Sequence, residues 1–329
     1  MIKNSCYIIA EIGINHNGKL KIALDLIKKA KKAGASAVKF QIYSPETLGK
    51  KNDHRKIKIF RKHPPETRYQ MWRRLSVKQN WLGKIKKQCE KIKIDLGFSV
   101  FDEESLKKIK SINPNFIKVA SSDLTDHYLI KKIIKCKKKI IISTGMSLKK
   151  EILNTVKILS KKNFVLLHCV SLYPTEYKKV NLNRMIKLKK IHKHVGFSDH
   201  SKKPYACLKA IDLGAEVLEK HFTFNKDADG PDHKGSANFD ELKLICDYSK
   251  IHSQLMGDGK IEPSRLEKKN RFNARKSIWA KKNIDKNEFF SIDNIEKTRP
   301  GIGIGVEKFE KILNTKSKFN LKKGELIKI

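Results

Sequence analysis

The sequence predicts an α/β fold, a (β/α)8 TIM barrel, followed by a small β-rich domain. Three observations carry that prediction. Eight short apolar runs alternate with stretches whose apolar residues recur at helical spacing, which is the count of a closed parallel barrel. No Gly-x-Gly-x-x-Gly follows the first run, which counts against the alternative, a doubly wound open sheet. Beyond Leu255 the alternation stops, and short β-like runs broken by turns replace it.

The first run, Cys6 to Gly13, leads through the turn Asn15–Gly18 into a helix over Leu20–Ala33, with Ala23, Leu26, Ile27 and Ala30 on one face and Gly34 as the stop. Further strands are expected at Ala37–Tyr43, Leu96–Val100, Phe116–Ala120, Lys139–Thr144, Phe164–Val170, Val195–Ser198 and Val217–His221. Helices are expected between most of them, at Ser76–Ile92, Glu103–Ile112, Tyr128–Ile134, Leu148–Leu159, Leu182–Ile191 and Ala206–Gly214, with a last one at Phe239–Leu255. The connection from Ser44 to about Thr67 exceeds the roughly 12–15 residues usual for a structureless loop, and it is expected to form a partial cover over the barrel mouth. A solvated basic insertion is the plainer reading of the same stretch.

The expected domains are 1–255 for the barrel, 256–275 for a polar linker and 276–329 for the β-rich part. In the last of these, Asn283–Ile292 nearly repeats Asn320–Ile329. Each copy reads as a strand end, a Lys-Asn or Lys-Gly turn and alternating apolar residues, the pattern of a hairpin. Arg299–Gly305 between them is too rich in glycine to be core.

Composition narrows the function classes. Of 329 residues, 39% are hydrophobic, enough for a sizeable core, and no apolar run nears the roughly 20 residues of a membrane span. Glu11 interrupts the apolar N-terminal stretch, which makes a poor signal peptide. The six cysteines are scattered without a Cys-x-x-Cys pair, as expected of small buried residues in a reduced, cytoplasmic protein. The net charge of +39 is spread along the chain as Lys-Lys pairs rather than gathered in a tail, and no nucleic-acid-binding motif accompanies it. Neither nucleic acid nor membrane is therefore expected as a partner, although such a field attracts anionic metabolites.

Chemistry is sought at the C-terminal ends of the strands, where barrel sites lie. Glu11, Lys39, Lys118 and Glu219 each break an apolar strand at that end, which is costly unless the charge is paired or binds a ligand. Gln41, Ser99, Ser121, Ser143, Thr144, His168, Ser171, Tyr173 and Ser198 stand at the same level. Two lysines with a ring of hydroxyls suit a phosphate and a carboxylate. His200 and His221 close adjacent strands. Alone they are compatible with ordinary polar strand ends, but beside the buried charges they suggest a two-histidine divalent-metal site.

These residues also carry a resemblance. EIGINHNG (11–18), VKFQ (38–41), FDEESL (101–106), IKVASSD (117–123), STGMS (143–147), LLHCVSLYPTEY (166–177), GFSDHS (196–201), EKHFT (219–223) and GPDHK (230–234) resemble the N-acetylneuraminate (sialic acid) synthase family. The stretch from ARKSIWAKKNIDKNE through KTRPGIGI to LKKGELI is similar to that family's antifreeze-like (SAF) β-clip domain. The resemblance implies condensation of phosphoenolpyruvate with an N-acyl aldose to a nine-carbon 2-keto sugar acid and phosphate, with C–O cleavage. It implies Mn²⁺ or Mg²⁺ on His200 and His221, and phosphoenolpyruvate on Lys39, Ser99, Lys118, Ser121, Ser143 and Ser198. Glu11, Glu219 and Asp232 match acidic positions near the metal and water, Glu11 or Glu219 being the expected proton acceptor. Gln41 and Tyr173 match sugar contacts, and Ser171 stands where some members carry Asn. Arg299 matches a clip-domain arginine that reaches the sugar from the other subunit of a domain-swapped homodimer, and Phe272 would line the same pocket. The sugar stays open between N-acetylmannosamine and a 2,4-diacetamido-trideoxy hexose. VASSDLTD and GPDHK lean to the second, legionaminate-type branch. A barrel aldolase or 3-deoxy-sugar-phosphate synthase and a basic nucleic-acid-binding protein are the competing readings.

Overall fold

A computed structural model describes residues 5–57, 64–160 and 162–329, which form two compact units, 1–257 and 258–329. In the first, the eight expected strands are present, with bounds shifted by at most a residue. They are β1 (Tyr7–Gly13), β2 (Ala37–Ile42), β3 (Asp95–Val100), β4 (Phe116–Val119), β5 (Lys139–Ser143), β6 (Phe164–Cys169), β7 (Val195–Asp199) and β8 (Val217–His221). All neighbours pair in parallel and β8 returns to β1, so the sheet closes into a barrel. The expected alternative of an open sheet is thereby excluded.

Side-chain alternation divides each strand between two cores. Outward residues such as Ile8, Val38, Phe98, Leu166 and Leu218 pack beneath the helices. Inward residues Ile9, Ala37, Phe116, Ile141, Val165, Leu167 and Val217 plug the barrel floor. Room for the Phe116 ring comes from Gly97 opposite, where a Cβ would stand 2.1 Å from the ring. A plugged floor leaves the charged layer above it reachable only from the C-terminal rim.

One helix expectation needs correction. Of Ser76–Ile92, only Leu82–Lys91 is α-helical, after a short 3-10 turn at Gln79–Trp81, and a separate, unexpected helix, Arg68–Leu75, precedes it. The break has a local cause. Thr67 and Gln70 form a reciprocal capping box that starts the earlier helix, and Ser76 is extended and ends it. A short helix, Pro45–Leu48, and the antiparallel pair Lys56–Ile57 with Glu66–Thr67 occupy the long connection, of which 58–63 lie outside the described residues.

The second unit has its own core of Ile278, Ala280, Ile284, Phe290, Ile295, Ile312, Leu321 and Ile327 around an antiparallel pair, β9 (Ser277–Ala280) and β10 (Ile295–Thr298). Within the expected linker, Arg265–Ala274 is helical, started by a Ser264–Glu267 capping box that hydropathy alone does not reveal. The near-repeats do not fold back on themselves as hairpins. They pair with each other: Ile284 and Leu321 exchange backbone hydrogen bonds of 2.8 Å, while Asn283 Oδ1 accepts from Lys323 N and Asn320 Oδ1 from Lys286 N.

Candidate active site

The charged layer lines a cavity of about 410 Å³ at the C-terminal rim of the barrel. Every first-unit residue named by the resemblance borders it. Glu11, Lys39, Gln41, Ser99, Lys118, Ser121 and Ser143 lie on the β1–β5 side, and Ser171, Tyr173, Ser198, His200, Glu219, His221 and Asp232 on the β6–β8 side. The barrel register explains the convergence. Glu11 is opposite His221 on one neighbour and Lys39 on the other, Gln41 is opposite Ser99, Ser99 opposite Lys118, and Glu219 opposite Ser198.

Two lysines and two carboxylates form a buried quartet. Lys39 Nζ lies 2.9 Å from Glu11 Oε2 and 3.7 Å from Glu219 Oε2, and Lys118 Nζ lies 3.8 Å from Glu219 Oε1. Burial pushes both carboxyls up, but Glu219 has Lys118 as well as Lys39 and a 2.8 Å hydrogen bond from Ser198 Oγ, and its net shift is downward. Glu11 shares a single lysine with Glu219. Burial outweighs that lysine, and its pKa rises to about 7. One carboxylate is thus fixed as an anion and the other titrates near neutrality, a division of labour suited to proton transfer.

Hydroxyl orientation follows from what each accepts. Ser99 Oγ accepts from Lys39 Nζ at 2.6 Å and Ser121 Oγ from Gly145 N at 3.0 Å, so both keep a hydrogen to donate to a ligand. Ser143 Oγ is buried without a hydrogen-bond partner. Ser198 gives its hydrogen to Glu219 and therefore orients that carboxylate.

On the far wall, the His200 and His221 ring centroids are 5.5 Å apart. His200 Nδ1 is 2.8 Å from the Val170 carbonyl, which only accepts, so Nδ1 carries the hydrogen and Nε2 keeps its lone pair. Burial first, then His200 and Lys39, hold the His221 pKa well below the ordinary imidazole value, which leaves it neutral, the ligating form. Its Nδ1 has no hydrogen-bond partner and lies 3.5 Å from Asp232 Oδ2. Among the described residues no group of three or more His, Cys, Asp and Glu side chains is assembled around a metal position. Burial lowers the His200 pKa, but Cys169, the Val170 carbonyl and Asp199 outweigh it and raise it, so His200 must shed a proton on binding; the pair, with one orphaned nitrogen, then offers two imidazole donors of the kind that Mn²⁺ or Mg²⁺ accepts. Tyr173 lies over His200 at 4.0 Å between centroids.

Two strand-end expectations point the wrong way. His168 faces the helical layer, where Nε2 meets the Val180 carbonyl at 2.7 Å, and Thr144 Oγ1 donates to the Leu167 carbonyl. On β6 it is Cys169, read from sequence as a small buried residue, that turns inward and borders the cavity. Counting alternation from Val165 and Leu167 would have found it. Sequence reasoning also missed an apolar wall of Ile14, Met71, Trp72 and Phe101, because Met71 and Trp72 come from the unforeseen helix Arg68–Leu75. Arg299 belongs to the second unit, where its exposed loop is tied to Phe272 by a 2.7 Å bond from Gly301 N to the Phe272 carbonyl.

A closed parallel barrel whose rim gathers a lysine–serine floor, paired carboxylates and two histidines defines a barrel enzyme for a small anionic substrate. The chain belongs to the NeuB family, whose model matches residues 26–261. It is 37% identical to the N,N'-diacetyllegionaminic acid synthase of Campylobacter jejuni, covering 98% of each chain. It is 34% identical to a pseudaminic acid synthase of the same species, over 98% of this chain and 95% of that one. The crystal structure of the N-acetylneuraminic acid synthetase of Leptospira borgpetersenii in complex with citrate superimposes with a TM-score of 0.73 at 31% identity, covering 81% of this chain and 90% of that one.

Proposed function

We propose that this enzyme is a nonulosonic acid synthase, condensing phosphoenolpyruvate with an N-acyl aldose to a nine-carbon 2-keto sugar acid and phosphate. The observation that carries the reading is the buried quartet of Lys39, Lys118, Glu11 and Glu219 above a plugged floor. The lysines with Ser99, Ser121 and Ser143 hold the phosphate and carboxylate of phosphoenolpyruvate. Glu219, kept anionic, holds the lysines in place. Glu11 takes the proton from the water that adds at carbon 2, while carbon 3 joins the sugar aldehyde and phosphate leaves with its bridging oxygen. His200 and His221, with Asp232 beside them, would hold Mn²⁺ or Mg²⁺, which supplies Lewis-acid polarisation of the aldehyde. Gln41, Ser171 and Tyr173 contact the sugar.

The acceptor we favour is a 2,4-diacetamido-trideoxy hexose rather than N-acetylmannosamine, because Ile14, Met71, Trp72 and Phe101 give the cavity an apolar wall suited to methyl groups. The second unit we read as an antifreeze-like (SAF) β-clip domain that brings Arg299 to the sugar of a partner subunit in a domain-swapped homodimer, and the setting as cytoplasmic. No helix among the described residues is long and apolar enough to cross a membrane. The test is release of inorganic phosphate from phosphoenolpyruvate with Mn²⁺ across a panel of N-acyl aldoses. Silence with every acceptor, the diacetamido sugars included, would sink the proposal.

A further inference from the structure

Lys220 stands between two cavity residues and points away from the cavity. Alternation on β8 sends Glu219 and His221 inward and Lys220 outward, where it is 1% exposed beneath the helices. A lysine buried that deeply needs compensation, and Asp199 supplies it, with Oδ2 2.7 Å from Nζ. Asp199 is also an outward residue, immediately before His200.

The contacts of this pair converge on the backbone around His200. Lys220 Nζ donates to the Ser201 carbonyl as well as to Asp199. Asp199 accepts from Ser201 N and Ser201 Oγ, each at 2.9 Å, and from Cys207 Sγ at 3.2 Å. The residue before His200 and the residue after it are therefore both held by the residue before His221.

The strand ladder does not do this job by itself. Pairing between β7 and β8 ends at Asp199 with Lys220, so His200 lies beyond the last paired position on that side. On the other side its carbonyl accepts from Thr175 N at 2.9 Å, which ties it to the β6 connection and not to His221. Toward β8, the Lys220–Asp199–Ser201 clamp takes over where the ladder stops.

We propose that Asp199 and Lys220 are positioning residues that fix His200 against His221 and thereby set the affinity of the histidine pair for a divalent ion. The inference rests on the reading of that pair as a metal site. Loosening the clamp lets the two imidazoles drift apart without touching the phosphoenolpyruvate floor, and loss of an outer support typically weakens metal binding about 10- to 100-fold.

The test is Mn²⁺ binding, followed by the electron paramagnetic resonance signal of the free ion, alongside phosphoenolpyruvate binding by tryptophan fluorescence. The variant Asp199→Leu/Lys220→Met removes both buried charges together, which avoids stranding either one. Asp199→Asn keeps the shape and one acceptor for Ser201 N but replaces the oxygen that accepts from Lys220, Ser201 Oγ and Cys207 with an amide NH2, and it serves the same comparison where the double variant does not fold. Folded variants are expected to bind Mn²⁺ at least tenfold more weakly while holding phosphoenolpyruvate like wild type. Wild-type Mn²⁺ affinity in a folded variant, or parallel loss of both ligands, would overturn the clamp alone. A wild-type protein that binds no Mn²⁺ would overturn the metal reading and the clamp with it.

Discussion

Lys39 and Glu11 face each other on adjacent barrel strands, with Nζ 2.9 Å from Oε2 and both side chains sealed from solvent. Burial drives the Glu11 pKa up to about 7, and Lys39, which also serves Glu219, does not offset it. The folded protein therefore holds a proton that the unfolded chain releases near pH 4.5. Stability from this group is complete below that value and is lost as the pH climbs through about 7. Thermal midpoints of the metal-free protein should fall between about pH 4.5 and 7, the interval spanned by that shift, and level off above it. Glu11→Gln, which cannot ionise, should flatten this slope and abolish phosphate release. An equally steep slope in the variant would remove Glu11 as its source.

His221→Ala removes one neutral imidazole from the cavity wall. Mn²⁺-dependent phosphate release should drop by at least about 100-fold, in line with the loss of a metal ligand or its support. The far-ultraviolet circular dichroism and the affinity for phosphoenolpyruvate should persist, since neither the floor nor the lysines are touched. Full activity in this variant would exclude the metal site.

The barrel was legible in the sequence because each strand is a short apolar run that ends in polar residues. The charges were legible for the opposite reason: Glu11, Lys39, Lys118 and Glu219 are what an apolar strand excludes unless a site needs them. The polarity of β6 was misread because Phe164–Cys169 is apolar on both faces apart from His168, so the one visible polar residue was assigned to the cavity and Cys169 was overlooked. Met71 and Trp72 were hidden more deeply. Their helix begins with a Thr67–Gln70 box inside a basic, proline-containing connection, and nothing in its hydropathy says that it lies against the barrel mouth. The repeat at Asn283 and Asn320 was visible, but its pairing was not. A tight turn predicts a hairpin, and only the tertiary fold reveals that each copy uses the other as its partner.

That mutual pairing makes a prediction for the second unit. Asn283 and Asn320 each cap a backbone amide in the opposite copy, at 2.9 and 2.7 Å. Alanine at either position should cost about 1 kcal/mol, the usual net worth of one hydrogen bond. The effects should be crosswise: Asn283→Ala should speed amide exchange at Lys323, and Asn320→Ala at Lys286. Acceleration confined to the mutated copy would mean that the two repeats are not each other's support.

Trp72 gives the sharpest test of the acceptor. Its indole is packed against Gly49, where a Cβ would stand 2.3 Å from the ring, and its carbonyl accepts from Tyr43 Oη at 3.3 Å. The ring is therefore held in place beside Met71 and Phe101 rather than swinging freely over the mouth. Opposite the charged floor, this wall can reward a methyl group and can offer a hydroxyl nothing. Trp72→Ala should lower kcat/KM for a 2,4-diacetamido-trideoxy acceptor by about 10- to 100-fold, the range expected when an apolar pocket loses its fit. The loss with N-acetylmannosamine should be smaller, and KM for phosphoenolpyruvate should not change. A 6-hydroxylated diacetamido sugar and a 6-deoxy monoacetamido sugar separate the two methyl sources, the ring's C6 and the second acetamido group. Equal loss with every acceptor would assign Trp72 to the framework of the rim and leave the choice of sugar to other residues.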